Sequence, residues 1–342
     1  MISADKQQTM RLALVIMFFF LWLSACKEEE MIHKISGEAQ GTTWHISYIS
    51  EDSKDHKTAI DSILKELDLS LSTWVKTSII SRINRNEKDI MIDSYFRDVF
   101  LKSMEVSEKT NGLFDVTVGP LVNAWGFGPV NKSERDSLPI DSIRNFVGYK
   151  MLKLDNGYIN KARPEIYIDF NAIAQGYSVD VLAAYLDKHQ ISNYLVELGG
   201  EVIAKGTKHK NSWTVGIDKP DEVQGIERKL QAIVQLRNRA LATSGNYRKF
   251  YEVDGMKYAH IIDPRTGYPA KQNILSATVL ANDAMSADAY ATAFMIMGLD
   301  GSTEFLRENQ DLNLDVFFVY TDKGKLKTYQ SNGMIDLIKD IN

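Results

Sequence analysis

The segment "SADAYATA", residues 286–293, sets Asp288 and Thr292 four positions apart in a stretch whose spacing predicts a helix. Their oxygens then project from one face about one turn apart. Two hard oxygen donors so placed suit Mg²⁺, which keeps several waters and takes further ligands from carbonyls or phosphate. The same pair fits equally an acid near a helix start and a threonine bonded back into the preceding turn. In "DFNAIAQGYSVD", residues 169–180, Asp169 and Asn171 lie where a strand meets a helix. The first N–H groups of that helix favour phosphate, and Gly176 permits close approach of a backbone or a ligand. An ordinary N-cap by Asn171 with a packing glycine accounts for the same residues. In "KYAHIIDPRTGYP", residues 257–269, Pro264 and Gly267 fix a turn, so His260 is presented from a rigid edge beside Asp263, Arg265 and Thr266. An imidazole held there can take a proton from a hydroxyl nucleophile, or can serve the turn itself.

Two other segments carry less. "ATSGNY" places Thr243, Ser244 and Gly245 at a strand end, but the G-x-S-x-G elbow of a serine nucleophile is absent, which favours a hydrogen-bonding loop. "VELGGEV" lacks the G-x-G-x-x-G spacing of a dinucleotide fold, so Gly199 and Gly200 read as a tight turn next to a ligand.

The elements that must position these residues follow from periodicity. "GTTWHISYIS" alternates as a strand, and Ile60, Ile63, Leu64 and Leu67 form a helical stripe. A second helix carries Phe96, Val99, Phe100 and Met104 and stops at Asn111-Gly112. "FDVTVGPLVNAWGFGP" reads as loop and short strand. "EIYIDF" reads as a strand to Phe170, followed by a helix from about Ala172 to His189. "YLVEL", "EVIAKG", "SWTVGID", "LQAIVQL", "RALATSG" and "ILSATVLA" are further strands. A helix from Ala284 ends at Gly298, and a hairpin closes the chain. Adjacent strands interrupted by packed helices predict an α+β fold, a single large body of mainly antiparallel sheet with helices against it.

The 342 residues carry 40 basic and 45 acidic side chains, with no basic cluster of the size a nucleic-acid surface needs. Lys6 and Arg11 precede the apolar run "LALVIMFFFLWL", short for a membrane span and of the length of an export signal core. "LSAC" follows, with the only cysteine, Cys26, in the position of a lipobox. Residues 1–25 are therefore expected to be a lipoprotein signal peptide, and residues 26–31 a lipidated cysteine with a short acidic tether. Residues 32–342 are the folded body. The expected place is the bacterial cell envelope, anchored by lipid and facing the periplasm, with inner or outer membrane left open.

Taken in order, "STW", "GLFDVTVGPLVNAWGFG", "DFNAIAQGYSVD", "VELGGEV", "ATSGNY", "HIIDPRTGYP" and "ADAYATA" resemble the ApbE family, the FAD:protein FMN transferases. The resemblance implies an Mg²⁺-dependent reaction in which FAD is split at its pyrophosphate, FMN is esterified to a Thr or Ser hydroxyl of a target protein, and AMP leaves. It implies Asp288, Thr292 and the carbonyl of Ala172 as metal ligands and His260 as the base. Flavin contacts would come from Gln40, Ser72, Thr73, Trp74, Asp115, Gln175 and the backbone near Ile262. The acceptor is expected to carry a D-G-x-[ST]-G-[AS]-T type motif, as in a membrane redox pump subunit or a flavin-carrying reductase. The chain departs from the family pattern at Gln175, where a lysine is usual, at Asn171 in place of a glycine, and at Glu197 in place of Asn. The same site with water as acceptor would hydrolyse FAD to FMN and AMP, and without catalysis it would be a lipid-anchored FAD-binding protein. Retention of base and ligands favours catalysis and does not rank transfer over hydrolysis.

Overall fold

The computed structural model describes residues 31–51, 54–127, 139–220, 230–245, 250–253, 256–259, 261–270 and 272–339. The signal segment, Cys26 and His260 lie outside these residues. The body opens with a hairpin of β1 (Ile32–Ala39) and β2 (Thr42–Ile49). Gln40 and Gly41 join the strands with φ of 52° and 72°, a left-handed two-residue turn whose twist matches that of the strands. Alternation along β2 buries Trp44, Ile46 and Tyr48. Helix α1 (Lys57–Leu71) follows and buries Ile60, Leu64 and Leu67. After α2 (Ile79–Asn84) comes α3 (Ser94–Lys109), capped by Asp93, whose carboxylate accepts the Phe96 N–H at 2.8 Å. It ends, as expected, on Asn111 and Gly112 in the left-handed region.

Next come the short helices α4 (Gly119–Trp125) and α5 (Ile140–Arg144), a small hairpin of β3 (Leu152–Asp155) and β4 (Tyr158–Lys161), and helix α6 (Ala174–Lys188). The strand-rich half contains β5 (Tyr194–Leu198), β6 (Glu201–Lys205), β7 (Trp213–Asp218), β8 (Leu230–Leu236), β9 (Arg239–Gly245), β10 (Phe250–Val253), β11 (Met256–Ala259) and β12 (Ile274–Ala281). Helix α7 (Ala284–Glu308), β13 (Asp315–Asp322), β14 (Lys325–Gln330), the single-turn α8 (Asn332–Ile335) and β15 (Ile338–Lys339) complete the chain.

The main sheet has the order β1-β2-β5-β6-β9-β12-β13-β14 and is antiparallel throughout. Helices α6 and α7 cover one face, where Val196, Leu198, Val279 and Phe318 pack with Val179, Phe294 and Met295. The other face, with Val202, Leu241, Leu280 and Phe317, packs on Trp213, Val234 and Leu236 of the small sheet β15-β8-β7. Ala242, Ala281 and Ala287 form a cluster of small side chains that seats α7 close to β9 and β12. The α+β reading therefore holds.

Two local expectations do not. "FDVTVGPLVNAWGFGP" contains helix α4, with Pro120 in its first turn and Gly126 closing it at φ 90°, the pairing of breakers that frames a short helix. "EIYIDF" joins no ladder. The Asn84 side chain takes both hydrogen bonds of Ile168, accepting from its N–H and donating to its carbonyl, each at 2.8 Å, and the Asp169 N–H goes to the Val116 carbonyl. A side-chain amide thus replaces a neighbouring strand. The helix from Ala284 does break at Gly298, where φ 74° and ψ 177° are not helical and the Gln272 side chain stands where a Cβ would, and a second helical stretch then runs on to Glu308.

Replacing Asn84 by leucine strips both partners from a segment that leads directly into the candidate site. The expected loss is about 2 kcal/mol, read as a lower urea midpoint at unchanged slope.

Candidate active site

The register of the sheet gathers the turns at one end. Trp44 of β2 pairs with Leu198 of β5, so the β1–β2 turn and the Gly199-Gly200 turn are neighbours, tied by the Gly199 N–H to the Thr43 carbonyl at 3.1 Å. Gly199 and Gly200 have φ of 65° and 111°, which only glycine adopts readily. Strand β9 runs antiparallel to β6 with Val202 opposite Leu241, which carries Thr243, Ser244 and Gly245 to the same end. There Gly245 faces Ser276 near the start of β12.

Helix α6 begins at this end. The Gln40 amide donates to the Ser178 hydroxyl at 2.8 Å, which donates in turn to the Ala174 carbonyl. The Gln175 amide nitrogen lies 3.0 Å from where a Cβ on Gly199 would be, beside a methyl of Thr42. An open cleft of about 600 Å³ adjoins, lined by Glu38, Ala39, Gly41, Thr42 and Thr43. Asn171 is exposed and does not cap α6. Its N–H is held by the Asp169 carboxylate at 2.8 Å, and the helix starts three residues later.

At the third helical position, the Gly176 N–H donates not to the chain behind it but to the Asp288 carboxylate of α7, at 3.1 Å. That N–H is one of the first-turn donors that find no acceptor within their own helix, and the carbonyl of Ala172, just before the helix, receives no hydrogen bond from a described residue. Asp288 is buried, and one turn further the half-buried Thr292 hydroxyl is left unbonded among the described residues, so it does not bond back into the preceding turn. Burial holds the Asp288 carboxyl above the ordinary carboxylate range, offset in part by the Gly176 N–H. A buried carboxylate with one hydrogen bond, a free hydroxyl and a free carbonyl form a hard-oxygen set that fits a small divalent cation. Among the described residues no three His, Cys, Asp or Glu side chains are grouped to hold a metal, so a softer ion has no comparable nest.

Asp115 is bound inward. One oxygen accepts from the Thr117 N–H at 2.8 Å and its hydroxyl at 2.6 Å, and the other from the Tyr149 N–H at 2.8 Å. Burial raises its pKa against these bonds. The Ser72–Trp74 loop is held by Ser78 and Ser81, whose hydroxyls donate to the Ser72 carbonyl at 2.7 and 3.4 Å. It leaves the Thr73 hydroxyl buried without a partner and Trp74 64% exposed. Thr73 borders Tyr167, whose ring fills the space beside Gly119, so this loop abuts the segment leading to Ala172.

The turn after His260 is as rigid as its sequence implies. The Asp263 carbonyl accepts the N–H groups of Thr266 and Gly267, and its carboxylate forks onto Arg265 at 3.1 and 2.8 Å. Trp125 donates its indole N–H to the Gly267 carbonyl at 2.8 Å and meets the Tyr268 ring edge-on at 5.8 Å. Ile262 bridges Pro269, while its own N–H and carbonyl bond to no described residue.

Sequence reasoning missed Asp180. Its carboxylate accepts the first two N–H groups of α7, Ala284 at 2.7 Å and Met285 at 2.8 Å. The available signal was its spacing of four from Gly176 on one helix face. It missed as well the pair of His45 Nδ1 and Glu197 at 2.8 Å, whose carboxylate also accepts the Gly200 N–H at 2.9 Å.

The ApbE family model matches residues 40–318. An FAD:protein FMN transferase of Vibrio cholerae is 38% identical over 335 residues, 94% of this chain and 98% of its own. One of Haemophilus influenzae is 37% identical over 321 residues, 89% and 91% of the two chains. The solved structure of the flavin transferase ApbE from Vibrio cholerae superposes with a TM-score of 0.79 at 35% identity, over 90% of this chain and all of that one.

Burial raises the carboxyl pKa of Asp115, Asp169, Asp180 and Asp288, that of Asp180 to about 7. Without a cation the folded protein keeps protons that the unfolded chain sheds above about pH 4. This contribution is complete at low pH and is lost as pH rises toward the raised values. In chelator, the urea midpoint is expected to fall between pH 5 and pH 7.5, and a rise would contradict it.

Proposed function

Because the chain belongs to the ApbE family, we propose that it transfers the FMN part of FAD to a Thr or Ser hydroxyl of a target protein, with AMP as the leaving group. The observation that carries the reading is the junction of α6 and α7. One helix start there offers a free carbonyl at Ala172 and an unbonded N–H at Gln175, against a carboxylate and a hydroxyl one turn apart. The N-terminus of α6 attracts the negative diphosphate, and the Gly199-Gly200 turn lets backbone approach it without side chains in the way.

Asp288, Thr292 and the Ala172 carbonyl would hold Mg²⁺, which when bound offsets charge on the diphosphate as the phosphoester bond changes. His260, in the role the family resemblance gives it, would take the proton of the acceptor hydroxyl as that oxygen attacks phosphorus. As the family resemblance implies, the backbone of Ile262, Trp74 and Gln40 would contribute contacts to the flavin. Gln175, where a lysine is usual in the family, brings no charge to the phosphates, so more of the electrostatic work falls on the cation. The acceptor is a protein with a D-G-x-[ST]-G-[AS]-T type segment. Lipid on Cys26, after removal of residues 1–25, would hold the enzyme at the periplasmic side of a membrane, where such subunits present their loops.

The test is incubation of the folded body with FAD, Mg²⁺ and a peptide bearing that segment. Flavin on the peptide with AMP in solution is the expected outcome. Free FMN with AMP would make it a hydrolase, and unchanged FAD a binding protein. Asp288→Ala is expected to abolish Mg²⁺-dependent turnover. His260→Ala should stop transfer while FAD binding, followed by flavin fluorescence, persists, and retained turnover would remove His260 from the mechanism. Gln175→Lys is expected to bind FAD, and complete loss of binding would show that Gln175 does not face phosphate.

A further inference from the structure

The start of α7 accounts for every one of its orphan N–H groups. Those of Ser286 and Ala287 go to the capping residue Asp283, through its carboxylate at 2.7 Å and its carbonyl at 3.2 Å. Those of Ala284 and Met285 go to Asp180, which belongs to a different helix. A helix needs only its own cap and water to satisfy these donors, so a carboxylate supplied from α6 serves something more. Along the contact, Gly176 and Asp180 are one turn apart on α6, and Ala284 and Asp288 are one turn apart on α7. The Asp180 carboxylate meets the N–H of Ala284, and the Gly176 N–H meets the carboxylate of Asp288, so two reciprocal bonds lock the antiparallel pair in register. A Cβ at Gly176 would lie 2.3 Å from the Ala284 carbonyl oxygen, so the backbones have no slack between these bonds.

We propose that Asp180 is a positioning residue for the cation site: by clamping the first turn of α7 onto α6 it sets the distance of Asp288 and Thr292 from the Ala172 carbonyl. The proposal rests on the reading of those three groups as cation ligands. The two oxygens of Asp180 are taken by the N–H groups of Ala284 and Met285, so it acts through the backbone of α7. Its effect passes through the axial position of α7, because a slide or rotation of that helix by a fraction of a turn takes both side-chain oxygens away from a carbonyl in the segment that leads into α6. Outer partners that orient ligands in this way typically govern metal affinity by about 10- to 100-fold.

The experiment measures Mn²⁺ binding to the folded protein without FAD, by the electron paramagnetic resonance signal of free Mn²⁺, together with the Mg²⁺ dependence of turnover. The variants are Asp180→Asn, Asp288→Ala and, as a control for stability alone, Asp283→Ala, which uncaps the same helix but leaves the tie to α6. Asp180→Asn keeps the shape and loses one of the two acceptors. It is expected to weaken Mn²⁺ binding about 10-fold and to raise half-saturating Mg²⁺ in parallel, with kcat largely restored at saturating Mg²⁺. Asp283→Ala is expected to lower the urea midpoint with Mn²⁺ affinity unchanged. Should Asp180→Asn fail to fold, as judged by far-ultraviolet circular dichroism, Asp180→Glu carries the same expectation. Unchanged Mn²⁺ affinity in the Asp180 variant, with affinity lost in Asp288→Ala, overturns the positioning role alone. Equal weakening in Asp283→Ala also overturns it, as a general effect of helix stability. Unchanged affinity in Asp288→Ala overturns the cation reading and the positioning role with it.

Discussion

An atom added to the α-carbon of Gly176 would stand 2.3 Å from the backbone oxygen of Ala284 and 2.8 Å from the Cβ of Asp288. The missing side chain is what lets the start of α6 lie directly on the first turns of α7, and most of the site follows from that approach. It gives the Gly176 N–H, a donor with no acceptor in its own helix, a partner in Asp288, and so brings a buried carboxylate to a helix N-terminus, where the positive end of the helix dipole offsets part of its burial. The fit continues beneath, where Ala242, Ala281 and Ala287 let α7 settle close to the sheet. Small residues on both sides of α7 thus fix its height, and hydrogen bonds across the helix pair fix its register.

The antiparallel sheet contributes a different kind of order. Each turn between adjacent strands must fall at one end or the other, and the pairings of β2 with β5 and of β6 with β9 send the Gln40-Gly41 turn, the Gly199-Gly200 turn and the Thr243–Gly245 strand end to the same one. Loops at a single edge of a rigid sheet are free to carry polar groups, because the ladder behind them is already satisfied. The helical half is joined to this edge by side chains acting as backbone partners: Asn84 on Ile168, Asp115 on Thr117 and Tyr149, Asp263 on its own turn. These bonds hold irregular chain in place without a ladder; for Asp115, and for Asp169 on the Asn171 N–H, the cost is a buried carboxylate whose pKa rises accordingly.

Period-two and period-three-to-four patterns in the sequence located every strand of the main sheet except β1, and the long helices, since burial of one face acts on each element alone, but they gave no reading of β3, β4, β10 or β15. The spacing of Asp288 and Thr292 was legible for the same reason, as was the stiffness of the turn after His260, where proline, aspartate and glycine act within a few bonds. The tertiary structure decided what depends on partners distant in sequence. "EIYIDF" alternates like a strand, yet its bonds go to Asn84, 84 residues earlier. Helix α4 hides in a stretch punctuated by glycines, of which Gly126 closes it in the left-handed region. For Asp180 the sequence offers only its spacing of four from Gly176, while its two acceptor bonds close over a separation of 104 and 105 residues. A sequence records which groups are able to bond; only the folded register of one helix on another decides which of them meet.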